Sequence, residues 1–293
     1  LMNLAALCIY LTAANMIDAQ TLQVGKLVAF MEYLFHAMFS VMLFCMVFML
    51  YPRASISAKR IMAVLNTETS IENHPGNAQT DSGSGEHSVI FEHVDFVYPD
   101  GEEAVLKDIS FSAKSGETVA FIGSTGSGKS SLIQLIPRFY DRASGNIYID
   151  GQKIEDLDIN ALRSKIGFVP QKAHLFSGTI EENIRFGKPD ATMDEIIHAA
   201  KIAQAYDFIM EKPHQFQEQI VEGATNVSGG QKQRLSIARA LIRKPEIYIY
   251  DDSFSALDFK TDARLRKALK PEIKNAIVFL VAQRVSTILD ADK

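Results

Sequence analysis

Cysteine is nearly absent from this chain. Its 293 residues include two, Cys8 and Cys45, both in apolar stretches. Two thiols are too few for a disulfide framework or a cysteine-based metal site. A basic excess is missing as well: 30 Lys and Arg stand against 35 Asp and Glu, a net charge of −5. That balance argues against a nucleic-acid-coating surface, which is normally basic. The first 20 residues lack the basic n-region of a secretory signal peptide, and a second apolar segment follows directly. There is no internal repeat.

Charge is also missing locally. The chain is 47% hydrophobic and 22% charged, but residues 1–51 are almost uncharged and residues 52–293 carry nearly all the charge. A chain of this length holds about two domains, and the split in composition marks them. Residues 27–51 contain one acid, Glu32, and one histidine, His36. The run exceeds the ~20 residues that a helix needs to cross the ~30 Å hydrocarbon layer, which favours a span over a buried soluble helix. Residues 1–17 read as the tail of an earlier span, and residues 18–26 as a short polar hairpin. Arg53, Lys59 and Arg60 then place the following end in the cytoplasm by the positive-inside rule. The expectation is a multi-pass membrane segment over 1–66, with helix continuing over 54–66. Glu32 and His36 are four residues apart, hence on one helix face; helix–helix packing is favoured there over lining a substrate path.

Residues 67–88 are rich in Thr, Ser, Asn, Gly and Asp and read as a linker. From Val89 to Lys293 the pattern is α/β. The stretch Thr118-Val119-Ala120-Phe121-Ile122 is a short apolar strand, and residues 166–169, 247–250 and 276–282 are others. Continuous apolar strands separated by helical stretches suggest a parallel sheet covered on both faces. Residues 172–240 read as a mostly helical insertion. The abrupt start and stop read as a fragment of a longer polypeptide.

Gly123-Ser124-Thr125-Gly126-Ser127-Gly128-Lys129-Ser130 matches Gly-x4-Gly-Lys-Ser after a strand and before a helix, the context that a phosphate loop requires. Backbone N–H groups cradle the phosphates of a nucleoside triphosphate, Lys129 reaches the β- and γ-phosphates, and Ser130 ligates Mg²⁺. Ser131 completes the nucleotide-contacting set. Asp251 ends the strand at 247–250, placed to hold Mg²⁺ through water. The spacing of Tyr98 before the phosphate loop favours stacking on an adenine ring over an ordinary strand-end tyrosine. Further along, Val227-Ser228-Gly229-Gly230-Gln231 opens a helix with a second set of bare N–H groups, aimed at a second phosphate tail. A phosphate loop and such a helix start in one chain read as half of a head-to-tail ATP sandwich. His174, His198 and His214 have no metal-ligand partners at suitable spacing.

These motifs resemble those of ABC (ATP-binding cassette) ATPases, and the chain is similar to the C-terminal part of an exporter half-transporter. Phe139-Tyr140-Asp141 and the run from Leu175 to Ile184 are similar to exporter sequences. The resemblance implies a RecA-like parallel sheet core, with antiparallel β and helical subdomains, behind α-helical membrane segments. It implies ATP and Mg²⁺ as cofactors and ATPase activity that drives export of a lipid, peptide or drug-like substrate. The implied partners are a second half-transporter, membrane lipid and the transported substrate, and no nucleic acid. By the same resemblance Gln171 touches Mg²⁺ and the attacking water, Ser255-Ala256-Leu257-Asp258 lies across the dimer interface, and Glu222 reads equally as an acidic loop that touches the partner's membrane domain or as a solvated surface carboxylate.

Two positions depart from the family pattern. Asp252 stands where most members carry the Glu that polarises water, and Gln283 stands where they carry a His that contacts the γ-phosphate. The resemblance therefore implies a site that binds ATP but hydrolyses it slowly, with the intact Ser228-Gly229-Gly230-Gln231 serving a competent site on a different chain. The protein is then expected to be one half of a heterodimer. The alternatives are a homodimer in which Asp252 works as the catalytic carboxylate, or a non-hydrolysing regulatory subunit. A DNA-acting ATPase of the chromosome-maintenance class would need long coiled-coil heptads and no membrane span. An importer would usually keep its ATPase on a chain separate from the membrane domain.

Overall fold

A computed structural model describes residues 2–73 and 87–293 of the chain. It divides into two compact units, residues 1–70 and 71–293. Most of the predicted linker falls outside the described residues.

The first unit is a pair of helices, α1 (Met2–Asp18) and α2 (Val24–Leu65). The predicted hairpin at 18–26 shrinks to the turn between them, and α2 begins three residues before the apolar run. At 42 residues α2 is about 63 Å long, roughly twice the hydrocarbon thickness. It continues through Pro52, which forfeits one i→i−4 hydrogen bond. It is long and apolar enough to cross a membrane, and it is the one helix among the described residues that is. With 17 residues, α1 falls short of a full span. Ala13 and Met31 are buried, whereas Glu32 and His36 are exposed, so neither ionisable group lies in the packed seam.

The second unit contains two larger sheets and a short β pair. Its strands are β1 (Ser88–Phe96), β2 (Leu106–Lys114), β3 (Thr118–Ile122), β4 (Ser144–Ile149), β5 (Gln152–Lys153), β6 (Ile166–Val169), β7 (Gly178–Thr179), β8 (Gln219–Ile220), β9 (Ile247–Asp251) and β10 (Ile277–Ala282). The helices are α3 (Lys129–Leu135), α4 (Ile159–Ser164), α5 (Ile180–Arg185), α6 (Met193–Ile202), α7 (Tyr206–Met210), α8 (Gly229–Leu241), α9 (Phe259–Glu272) and α10 (Val285–Ile288). One sheet is antiparallel, in the order β2-β1-β4-β5, and the other is parallel, in the order β3-β10-β9-β6.

The parallel strands alternate between two cores. Ile247, Ile249, Ile277, Phe279 and Val281 face the core that includes Leu132, Ile133 and Leu135 of α3 and Phe91 of β1. Tyr248, Tyr250, Val278 and Leu280 face the core that includes Ile184, Ile196, Leu235 and Leu265 from the helical segments. Both faces are thus dry, which is why these strands lack polar alternation. The predicted helical insertion carries α5, α6, α7 and α8, but also the pair β7–β8, in which Gly178 and Thr179 meet Ile220 and Gln219. Capping boxes at Thr179 and Thr192 start α5 and α6.

At the N-terminal ends of β6 and β9 a partly buried ion cluster ties the two sheets together. Lys165 Nζ lies 2.6 Å from Asp150 Oδ2 and 3.0 Å from Glu246 Oε2. His87 Nδ1 lies 3.4 Å and 3.2 Å from the same carboxylates. His87, Asp150 and Glu246 have the proximity of a metal site, but the Lys165 ammonium already serves as its cation. Burial pushes the Asp150 carboxyl up and the Lys165 ammonium down, and the hydrogen bonds between them overcome it: Asp150 is lowered and Lys165 raised. Asp150's contribution to stability is therefore present above the usual carboxylate range and lost as pH falls through its lowered value. Lys165's is lost only as pH rises through its raised value. Lys165→Met is expected to cost about 3 kcal/mol at neutral pH by stranding a buried carboxylate. In urea titrations the deficit should shrink below about pH 4; a pH-independent deficit contradicts this account.

Candidate functional site

The site forms where the parallel strands end. The loop after β3 turns into α3 through two left-handed glycines, Gly126 (φ 83°) and Gly128 (φ 84°). A Cβ on Gly128 would come within 2.9 Å of Leu106 Cδ2 and 3.2 Å of the Val105 carbonyl oxygen, so glycine is required on both counts. Lys129 Nζ folds back over the loop and donates to the Gly123 and Ser124 carbonyls at 2.8 Å and 2.7 Å and to Ser127 Oγ at 3.1 Å. These are the contacts that an incoming phosphate would exchange for its own oxygens.

Register sets the opposite wall. Ala282 pairs with Ile122, and Val281 with both Phe121 and Asp251. The residues just beyond the three strand ends, Gly123, Asp252 and Gln283, therefore emerge side by side. Ser130 Oγ donates to Asp251 Oδ1 at 2.8 Å. Asp251 is 5% exposed and Asp252 8%. Asp252 holds a left-handed backbone (φ 45°), which an aspartate tolerates better than most residues. Its Oδ2 accepts from two amides, Gln171 Nε2 at 3.3 Å and Gln283 Nε2 at 3.2 Å. Tyr98 shares a 2.8 Å hydrogen bond with Ser131 Oγ and packs edge-on against Phe96 and Tyr140.

Together these residues line a cleft of about 360 Å³. Tyr98, Thr125 to Ser131, Gln171, Asp251, Asp252 and Gln283 all reach it. Gly123 and Ser124 act on it through Lys129. Val105 and Val281 also line it. Sequence reasoning missed both, because an isolated valine carries no motif. A larger cavity of about 540 Å³ lies near the start of β9 and contains none of the predicted site residues; the cleft is the candidate site because the predicted residues converge there.

Ser228, Gly229, Gly230 and Gln231 do not line the cleft, as judged on the described residues. Ser228 caps α8 in a capping box: its Oγ accepts from Gln231 N at 3.3 Å and Gln231 Oε1 accepts from Ser228 N at 3.0 Å. The helix start is thus ordered and lies outside the lining of this chain's own cleft. From the same helix, buried Gln233 donates to the Pro170 carbonyl at 3.0 Å, next to Gln171. Glu222 begins an exposed turn, and Lys232 Nζ donates to the Gly223 carbonyl beside it at 3.1 Å.

The donor set fits a divalent cation. Burial pushes the Asp251 carboxyl up, as does the neighbouring Asp252 charge, and the Ser130 hydrogen bond only partly offsets this. A cation would relieve that unfavourable charge; Ser130, Gln171 and Asp251 would hold Mg²⁺, which would neutralise charge on the phosphates.

This fold and site define a phosphate-loop nucleotide-binding domain. The chain belongs to the ABC transporter family, whose sequence profile, described as "ABC transporter", matches residues 106–255. Relatives include an uncharacterized ABC transporter ATP-binding protein, YfiB, of Bacillus subtilis (strain 168), 44% identical over 100% of this chain and 50% of that protein. A Staphylococcus aureus (strain NCTC 8325 / PS 47) protein, provisionally named a multidrug export ATP-binding/permease protein, is 49% identical over 70% of this chain and 36% of that one. The solved structure of a bacterial Atm1-family ABC exporter with ATP bound superposes with a TM-score of 0.79 at 31% identity, covering 99% of this chain and 51% of the other. The chain spans about half the length of the curated relatives it matches.

A carboxyl whose pKa is raised on folding binds its proton more tightly in the folded state. Its ionisation therefore costs stability as pH rises through the carboxylate range, and the cost persists at neutral pH. Asp251→Asn is accordingly expected to raise the nucleotide-free melting temperature while abolishing any Mg²⁺-dependent gain on adding ATP. A lower melting temperature without nucleotide contradicts this.

Proposed function

We propose that this chain is the ATP-binding, membrane-spanning part of an ABC exporter subunit. Its own phosphate loop binds MgATP and hydrolyses it slowly, and its helix start at Ser228 completes a competent site on a different partner chain. The observation that carries this reading is the Asp252 carboxylate, one methylene shorter than the usual Glu and tied through one oxygen to two neutral amides. A retraction of about 1 Å can cost ~100-fold in rate. Gln283 can donate a hydrogen bond, but it can neither carry charge nor shuttle a proton as a histidine does. The capped, intact helix start outside the chain's own cleft supports service to another chain's nucleotide.

In this reading Tyr98 stacks on adenine, the loop from Gly123 to Ser131 binds the phosphates, and Ser130, Gln171 and Asp251 hold Mg²⁺. Asp252 orients the attacking water, with Gln283 beside it. The apolar helices lie in the membrane with the nucleotide-binding domain in the cytoplasm. The partner is a second half-transporter with Glu and His at the matching positions, and the cargo is a lipid, peptide or drug-like molecule.

The test is steady-state MgATP hydrolysis by the full-length subunit alone in nanodiscs, with ATP binding measured on the same sample. Binding without appreciable turnover is expected. Asp252→Glu combined with Gln283→His should then raise turnover by roughly 10- to 100-fold. Turnover on the order of 1 s⁻¹ by the unaltered subunit, abolished by Lys129→Ala, would instead make Asp252 a working catalytic carboxylate and remove the case for a heterodimer.

A further inference from the structure

The cavity near the start of β9, about 540 Å³ in volume, shares no lining residue with the nucleotide cleft. Three parts of the second unit wall it: α6, the connection from α8 into β9, and the end of α9. Its volume falls within the roughly 300–1,000 Å³ of small-molecule sites. Buried Ala199, Ile202, Leu241, Ile242 and Ala276 give it an apolar floor.

Tyr248 is the polar group set into that floor. It is 2% exposed and makes no hydrogen bond among the described residues, although a buried phenol normally finds a partner. Its ring stacks on Tyr250, with centroids 6.1 Å apart and planes within 2°, which fixes its place. Burial, and then the Glu272 charge, push its pKa up to about 12, so it remains a neutral O–H donor at physiological pH.

The charged groups on the rim divide by what they already meet. The glutamates are committed within the chain: Glu195 Oε1 lies 2.6 Å from Lys188 Nζ, Glu246 Oε2 3.0 Å from Lys165 Nζ, and Glu272 Oε1 3.2 Å from His198 Nε2. Asp194 stands in the first turn of α6, whose free N–H groups favour its charge. Lys244 and Lys274, by contrast, are exposed and make no ion pair among the described residues. What remains for a ligand is apolar surface, one buried hydroxyl and two ammonium groups. A carboxylate accepts from both kinds of donor, whereas an amine would meet two like charges.

We propose that this cavity binds a small organic acid with an apolar body, the body against the floor and the carboxylate meeting Tyr248 and the two lysines. The site is separate from the nucleotide cleft, so its ligand binds alongside ATP and not in its place.

The test uses 4-benzoylbenzoate, a photoreactive aromatic carboxylate, with the full-length chain in nanodiscs. After irradiation the labelled peptides are sequenced. Saturable labelling within residues 194–202, 241–248 or 271–276, unaffected by MgATP, is expected. 4-Phenylbutyrate should compete on the order of tenfold better than 4-phenylbutylamine. Tyr248→Phe should weaken binding several-fold by removing the donor alone. Lys244→Gln with Lys274→Gln should abolish the preference for the acid over the amine and leave ATP binding unchanged. Labelling confined to the nucleotide cleft or to α1 and α2 overturns the proposal, as does displacement by MgATP or the absence of saturation. Equal competition by the amine, a Tyr248→Phe variant of unaltered affinity, or an acid preference that survives loss of both lysines overturns it too.

Discussion

The parallel pairing of β3, β10 and β9 is the constraint on which the rest of this structure depends. Three residues with chemistry, Gly123, Asp252 and Gln283, each follow the last residue of a strand. They meet only because Ile122, Ala282 and Asp251 are held in register. A slip of one residue would reverse which side chains face each core. It would also draw Asp251 away from Ser130. The dry cores on both faces make such a slip costly, so the packing that stabilises the sheet also aligns the site.

What the sheet aligns is electrostatically unfavourable by itself. Two adjacent carboxylates, Asp251 and Asp252, sit nearly buried beside a loop made to receive phosphates. Neutral donors hold them: the Ser130 hydroxyl on one, and the Gln171 and Gln283 amides on the other. The ion cluster of Lys165, Asp150 and Glu246 at the other end of the strands shows the contrasting solution, with a lysine built in as the counter-charge. A structural carboxylate is paired within the chain, whereas Asp251 has no ion pair among the described residues, and its raised carboxyl would be relieved by a bound cation.

Much of this was legible in the sequence because it is local. A phosphate loop needs an apolar strand, glycines at left-handed positions and a helix start, all within about fifteen residues. Each of these is a property of consecutive side chains. The helix start at Ser228 is likewise local, but its capping box was not read: Ser and Gln three residues apart satisfy two of the N–H groups that the sequence reading left bare. The antiparallel strands β1, β2, β4 and β5 were implied by the family resemblance, but their positions were not read. The β7–β8 pair inside the helical insertion was missed, because two residues of strand show no period. Val105 and Val281 were invisible for the same reason: their role comes from where the fold puts them.

By itself the sequence determined the chemistry on offer: a phosphate loop, a strand-end carboxylate pair, a second helix start, and the substitutions Asp252 and Gln283 against the family pattern. Those are identities and spacings, and no tertiary contact can change them. Only the tertiary structure decided that Gln171 and Gln283, 112 positions apart in the chain, converge on a single oxygen of Asp252, and that Ile202, Tyr248 and Lys274 line one cavity. Both arrangements depend on side chains brought together by sheet register and helix packing, and contacts between such distant segments leave no periodic trace along the chain.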